Sequence, residues 1–137
     1  MAELTRKVIL LACGLVIMGF FNIATAQSGT EDESAAVNIV EYSDYQCPTC
    51  AYFHPIVEKI KSNFGTKVDV DYRYFPLNSH QYAALAARVA QAAKNQGKFK
   101  QMHDLLFENQ KRWSNSGNPT PIFINYAREV GLDVEHI

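Results

Sequence analysis

Apolar positions recur along this chain with two different periods, and each change of period marks a new element. Val37-Asn38-Ile39-Val40-Glu41-Tyr42 is β-branched and aromatic, which predicts a short strand, and Ser43 to Gln46 reads as the loop that leaves it. From Cys47 the spacing lengthens to three and four residues. Tyr52, Phe53, Ile56, Val57, Ile60 and Phe64 then share one face of a helix that should start at Cys47, with Gly65 as its stop. Pro55 falls inside that helix, where it removes a backbone hydrogen bond and should bend the axis. Alternation returns between Val68 and Phe75: Val68, Val70, Tyr72 and Tyr74 against Lys67, Asp69, Asp71 and Arg73, closed by Pro76. Strand, helix and strand in that order predict a parallel pair with a right-handed crossover.

After Ser79 the period is helical throughout. Tyr82, Leu85, Ala86, Val89, Ala92 and Ala93 define one face, ending before Gly97. Phe99, Met102, Leu105, Leu106 and Asn109 define a second helix, with Trp113 just past it. Ile122, Phe123, Tyr126, Ala127 and Val130 define a third, with Thr120 as N-cap, Pro121 in the first turn and Gly131 as the stop. The rival assignment of 117–125 to a loop and strand matches a shorter window than this helix. Two strands alone make a poor sheet, so the element order predicts an α/β fold that lacks part of its sheet towards the C-terminus.

The first 26 residues have another character. Arg6 and Lys7 precede the apolar run Val8 to Phe21, and Ala24-Thr25-Ala26 follows, which is the order of a secretory signal. Fourteen residues reach only about 21 Å as a helix, short of the roughly 30 Å bilayer core, so cleavage after Ala26 is expected over a lasting membrane anchor. Leu10-Leu11-Ala12-Cys13 also imitates a lipoprotein box, a third outcome. Residues 27–36, with Glu31, Asp32 and Glu33 among small polar side chains, read as a solvated linker before one domain at 37–137. A net charge of −1 with scattered lysines leaves no basic stripe for nucleic acid. Export, by contrast, changes the picture: outside the cytosol a cysteine pair persists as a disulfide or is cycled by partners.

Cys47-Pro48-Thr49-Cys50 opens a helix directly after a strand. There the first backbone N–H groups and the helix dipole stabilise an anion, so a thiol ionises below its free value of about 8.5. Cys47 is therefore the expected nucleophile and Cys50 the thiol that resolves the mixed disulfide. Pro48 suits a first turn, and Thr49 tunes the sulfur with an uncharged hydroxyl. Glu41, six residues before Cys47, has two readings: a buried carboxylate that relays the Cys50 proton, or a strand-edge carboxylate in solvent. Half a zinc site is the competing reading of the pair, but it lacks a second pair of cysteines. A purely structural bridge would close a loop too small to stabilise much. His54 and His103 read as packing or surface residues, since exchange needs only a thiolate.

These residues carry a family resemblance. Val40 to Cys50 with Pro55, Tyr72-Arg73-Tyr74-Phe75-Pro76-Leu77, Gly97-Lys98-Phe99, Met102 to Gln110 with Trp113, and Tyr126-Ala127 leading to Gly131-Leu132-Asp133 resemble the DsbA-type thiol:disulfide oxidoreductases of the thioredoxin superfamily. The resemblance implies a thioredoxin-like core with a helical domain inserted from about residue 79, and Cys47 attacking, Cys50 as buried partner and Glu41 as the acid below them. It also implies a cis-proline loop, two antiparallel strands and a closing helix, a C-terminal β-β-α half that this chain does not display before Ile137. The implied function is disulfide donation to exported proteins in the periplasm, with a membrane redox partner and no cofactor or metal. A reductase or isomerase with the same residues, or a non-catalytic peptide-binding module, are the alternatives.

Overall fold

The computed structural model describes residues 37–136. The expected signal segment 1–26, Cys13 within it, and the expected linker 27–36 lie outside the described residues. Strand β1 (Val37–Ser43) leads into helix α1 (Pro48–Phe64), and a turn of 3-10 helix (Gly65–Lys67) returns the chain into β2 (Val68–Tyr74). Four helices follow: α2 (Ala83–Asn95), α3 (Phe99–Glu108), α4 (Gln110–Ser114) and α5 (Thr120–Glu129). A 3-10 turn at Val134–His136 follows α5. No helix among the described residues is long and apolar enough to cross a membrane.

β1 and β2 pair in parallel as a two-stranded sheet, with Val37 opposite Val68, Glu41 opposite Tyr72 and Ser43 opposite Tyr74. A parallel pair needs a crossover, and α1 supplies it. The register brings the end of β1, where the cysteine loop departs, level with the end of β2.

The core lies on the helical side. Alanines 86, 90 and 93 of α2 are fully buried, and their small side chains let the apolar faces of neighbouring helices close in. Met102 and Leu106 of α3, Trp113 of α4 and Phe123 of α5 complete the cluster, which reaches Tyr45 in the cysteine loop. Trp113 Nε1 donates to the Leu106 carbonyl at 2.7 Å, so its one polar atom is satisfied inside. Gly97 and Gly131 end α2 and α5 at φ +71° and +77°. In both, the residue after the glycine donates back into the last turn: Lys98 N–H to Ala93 at 2.8 Å and Leu132 N–H to Ala127 at 2.8 Å.

Several sequence expectations need correction. α1 begins at Pro48, with Cys47 as its extended N-cap (φ −75°, ψ 120°), because a residue before proline is pushed out of the helical region. The N-cap of α5 is Pro119, and Thr120 is its first helical residue. Trp113 lies inside a helix of its own, α4, rather than past the end of α3. The predicted apolar face of α1 is largely uncovered: Tyr52, Phe53, Ile56 and Phe64 are 40–69% exposed. What α1 buries instead is His54, turned towards the helices.

Candidate active site

The short loop from β1 ends at Cys47, and Cys50 follows in the first turn of α1. Cys47 N–H donates to the Asp44 carbonyl at 3.1 Å, turning the chain into α1, while the Cys47 carbonyl accepts from Ala51 N–H at 3.1 Å. Gln110, buried in α4, donates through one nitrogen to the Tyr45 and Cys47 carbonyls, each at 2.8 Å. The helical side thereby grips the loop from below. Cys47, Cys50 and Glu41 are half-buried, and Pro48 and Thr49 are exposed. Both cysteines are free thiols.

The two thiols are driven apart. Burial opposes ionisation of Cys47, but the Cys50 backbone N–H, the Cys50 thiol and the Thr49 backbone N–H outweigh it and lower its pKa, with the Asp44 charge acting against them. Burial raises the Cys50 pKa, the paired Cys47 sulfur adds to the rise, and the Asp44 backbone N–H and the Ser43 hydroxyl only soften it. Ser43 Oγ is buried without a hydrogen bond of full strength, so its help to Cys50 is weak. One thiol is prepared to ionise and the other to keep its proton.

Glu41 and Cys50 line the same cavity of about 290 Å³, with Ser43, Thr49, Phe53 and Val57. The carboxylate enclosed in the loop itself is Asp44, 3% exposed. Its oxygens accept from Gln46 N–H at 2.6 Å and Leu77 N–H at 2.9 Å, and lie 2.7 Å from His80 Nδ1. Sequence reasoning passed over Asp44 and His80 because a polar residue in a loop reads as solvated.

A second cluster lies between α1 and α3. His54, Glu58 and His103 bring potential ligand atoms within 4.8 Å of one another. Glu58 is already engaged, since Tyr72 OH donates to one oxygen at 2.9 Å and Lys100 Nζ lies 3.0 Å from the other. Lys100 also reaches Asp104 at 2.6 Å, and His54 Nε2 lies 3.3 Å from Asp104. Both Glu58 oxygens are thus engaged within the protein, one of them by an ammonium group. Burial, with His54 beside it, lowers the pKa of His103 to about 3, so it packs as a neutral ring. Its Nδ1 meets Tyr45 OH at 2.8 Å, its ring packs against those of Tyr72, Phe99 and Phe107, and Nε2 is buried without a hydrogen-bond partner.

A strand-helix-strand unit with two cysteines at the helix N-terminus and helices packed beneath it defines a thioredoxin-like domain. The family model described as thioredoxin matches residues 28–134, and the chain belongs to that family. Among curated relatives, it is 38% identical over 103 residues to the Na(+)/H(+) antiporter NhaA 1 of Salinispora arenicola, a match covering 74% of this chain and 15% of that protein. It is 37% identical over 102 residues to the Na(+)/H(+) antiporter NhaA 3 of Salinispora tropica, covering 74% and 15%. With the Na(+)/H(+) antiporter NhaA of Herminiimonas arsenicoxydans the identity is 34% over 103 residues, covering 75% and 16%. The chain therefore spans about 15% of the length of the curated relatives it matches.

Proposed function

We propose that this chain exchanges thiols and disulfides with other proteins outside the cytoplasm, as a DsbA-like oxidase that donates its Cys47–Cys50 disulfide. The observation that carries the reading is the opposed pair: Cys47 at the N-terminus of α1, where backbone N–H groups stabilise its anion, and Cys50 one turn inside with its pKa raised. The signal-like residues 1–26 support export.

In the oxidised form, a substrate thiolate attacks Cys47 Sγ, a substrate–Cys47 disulfide forms, and Cys50 leaves as a thiolate that takes up a proton. Glu41 stands in the same cavity as Cys50, which supports its role in relaying that proton. A second substrate thiolate then attacks the substrate sulfur of the mixed disulfide, and Cys47 leaves. The substrate loses two electrons and the chain gains them. A membrane redox partner is the oxidant that takes them back. A thiolate stabilised at Cys47 is a good leaving group, which favours disulfide donation over reduction. Pro48 and Thr49, exposed between the two sulfurs, tune that stabilisation. The same resemblance reads α2 to α5 as an inserted helical domain. It assigns the edge of β1 that is unpaired among the described residues to further strands, and the exposure of Val40, Tyr42 and Phe53 supports a face made to be covered. The match to the antiporters covers about 15% of their length and carries no proposal of ion transport.

The test is the Cys47/Cys50 equilibrium against a glutathione series, read by thiol alkylation on the wild-type chain and on Cys47→Ser. Disulfide held only under oxidising buffers, with exchange abolished in Cys47→Ser, supports the oxidase. Disulfide retained in strongly reducing buffers moves the reading to a reductase or isomerase. Peptide binding that survives in Cys47→Ser, without any exchange by the wild type, would leave a non-catalytic module.

A further inference from the structure

We propose that Asp44, held against His80, is a positioning residue that fixes the cysteine loop and sets through its charge how readily Cys47 accepts or releases a disulfide. The inference rests on the thiol-exchange reading and deepens it.

A carboxylate that is 3% exposed is costly unless its oxygens are satisfied. Asp44 meets that cost by joining two loops. Oδ1 accepts from Gln46 N–H within the cysteine loop. Oδ2 accepts from Leu77 N–H and lies beside His80 Nδ1, both in the segment after β2. Its backbone also serves both sulfur positions, because its carbonyl receives Cys47 N–H and its N–H faces the Cys50 sulfur. Gln46 repeats the tie with Oε1, which accepts from Tyr82 N–H at 2.6 Å at the start of α2. The loop is thereby fixed from two sides.

Fixing the loop does not require a charge, however, and this one opposes the Cys47 thiolate. A buried negative group beside the nucleophile holds back its ionisation, and among the described residues the one ion-pair partner of Asp44 is His80, which carries a counter-charge only when protonated. The His80 side chain is 23% exposed and its Nδ1 lies 2.7 Å from Asp44 Oδ2, close enough for a charge on the ring to offset the carboxylate. With the imidazole protonated, the pair is neutral as seen from Cys47. With it removed, the carboxylate acts in full.

Charge and clamp predict different signs, and two variants of the full chain separate them. Asp44→Asn keeps the shape and one of the two acceptor oxygens and removes the charge, so the Cys47 titration, followed by thiolate absorbance, moves to lower pH if the charge dominates. The glutathione equilibrium then shifts about three- to tenfold towards the dithiol. His80→Gln keeps a donor and removes the counter-charge, so the same two readings move the opposite way. Opposite shifts with unchanged helical circular dichroism support the proposal. Movement of both variants towards an ordinary free thiol would show a structural clamp alone, and no movement in either would remove Asp44 from the redox chemistry. If wild-type Cys47 itself titrates as a free cysteine and exchanges no disulfide, the thiol-exchange reading fails on the wild type alone, a result separate from any difference between variants.

Discussion

The two sides of α1 treat apolar side chains in opposite ways. Towards α2 to α5, Trp113 and Leu106 are 0% exposed and Phe123 is 2% exposed. On the β1-α1-β2 unit and the segment after it, Val40, Tyr42, Tyr52, Phe53, Phe64 and Phe75 are all at least half exposed. The residue types are similar, so the difference comes from the partner each face has. Four helices, α2 to α5, close over the helical core, whereas among the described residues β1 pairs only with β2. The cysteine loop lies at the boundary, carried by β1 and α1 but held by Gln110 from the closed side. Rigidity at the sulfur site is thus drawn from the helices.

The comparison is tested hardest at Trp113. It is fully buried, bonded to the Leu106 carbonyl and packed on Phe123 with ring centroids 5.2 Å apart. Trp113→Ala removes a large side chain that no neighbour can replace, and should cost about 3–5 kcal/mol in denaturant unfolding. A loss under about 1 kcal/mol would mean that the helical core is not where the stability resides.

Acid should open the same side next. His103 has a pKa lowered to about 3 by burial and by His54, while in an unfolded chain it binds a proton near 6.5. Between those values the unfolded state holds more protons, so stability is full above about pH 6.5 and falls as pH drops towards 3. One group so shifted should cost about 2 kcal/mol by pH 5, read as a falling denaturation midpoint. His103→Gln should remove that part of the slope. A wild-type midpoint flat from pH 7 to 5 would contradict the buried neutral ring.

The sequence pattern made much of this visible. The change from period two to spacing of three and four placed Cys47 at a helix start, and the structure has it as the N-cap. Pro121 and Gly131 bounded α5 to within a residue or two, because proline in a first turn and glycine at a left-handed stop are local requirements. Three things were hidden, each for a physical reason. α4 spans five residues, too few to show a period, so Trp113 fell outside any predicted helix. Asp44 is buried by hydrogen bonds to Leu77 and His80, more than thirty residues away, and no local pattern records them. That the apolar face of α1 lies open is not legible either, because periodicity reports an amphipathic helix without reporting whether anything covers it.

The smallest effect expected is on that open face, and it bears most directly on the contrast. Tyr52 is 69% exposed, and its recorded ring contact is an edge-on approach to the neighbouring Phe53 at 5.5 Å. Tyrosine and serine have similar helix propensities, so Tyr52→Ser changes little except a lightly buried ring. Unfolding of the variant should differ from wild type by about 0.5 kcal/mol, several times less than Trp113→Ala. The comparison is sharpest when both variants are measured on the same chain, because a shared denatured state cancels. A cost for Tyr52→Ser approaching that of Trp113→Ala would mean that the α1 face is buried in solution and that the contrast between the two faces does not hold.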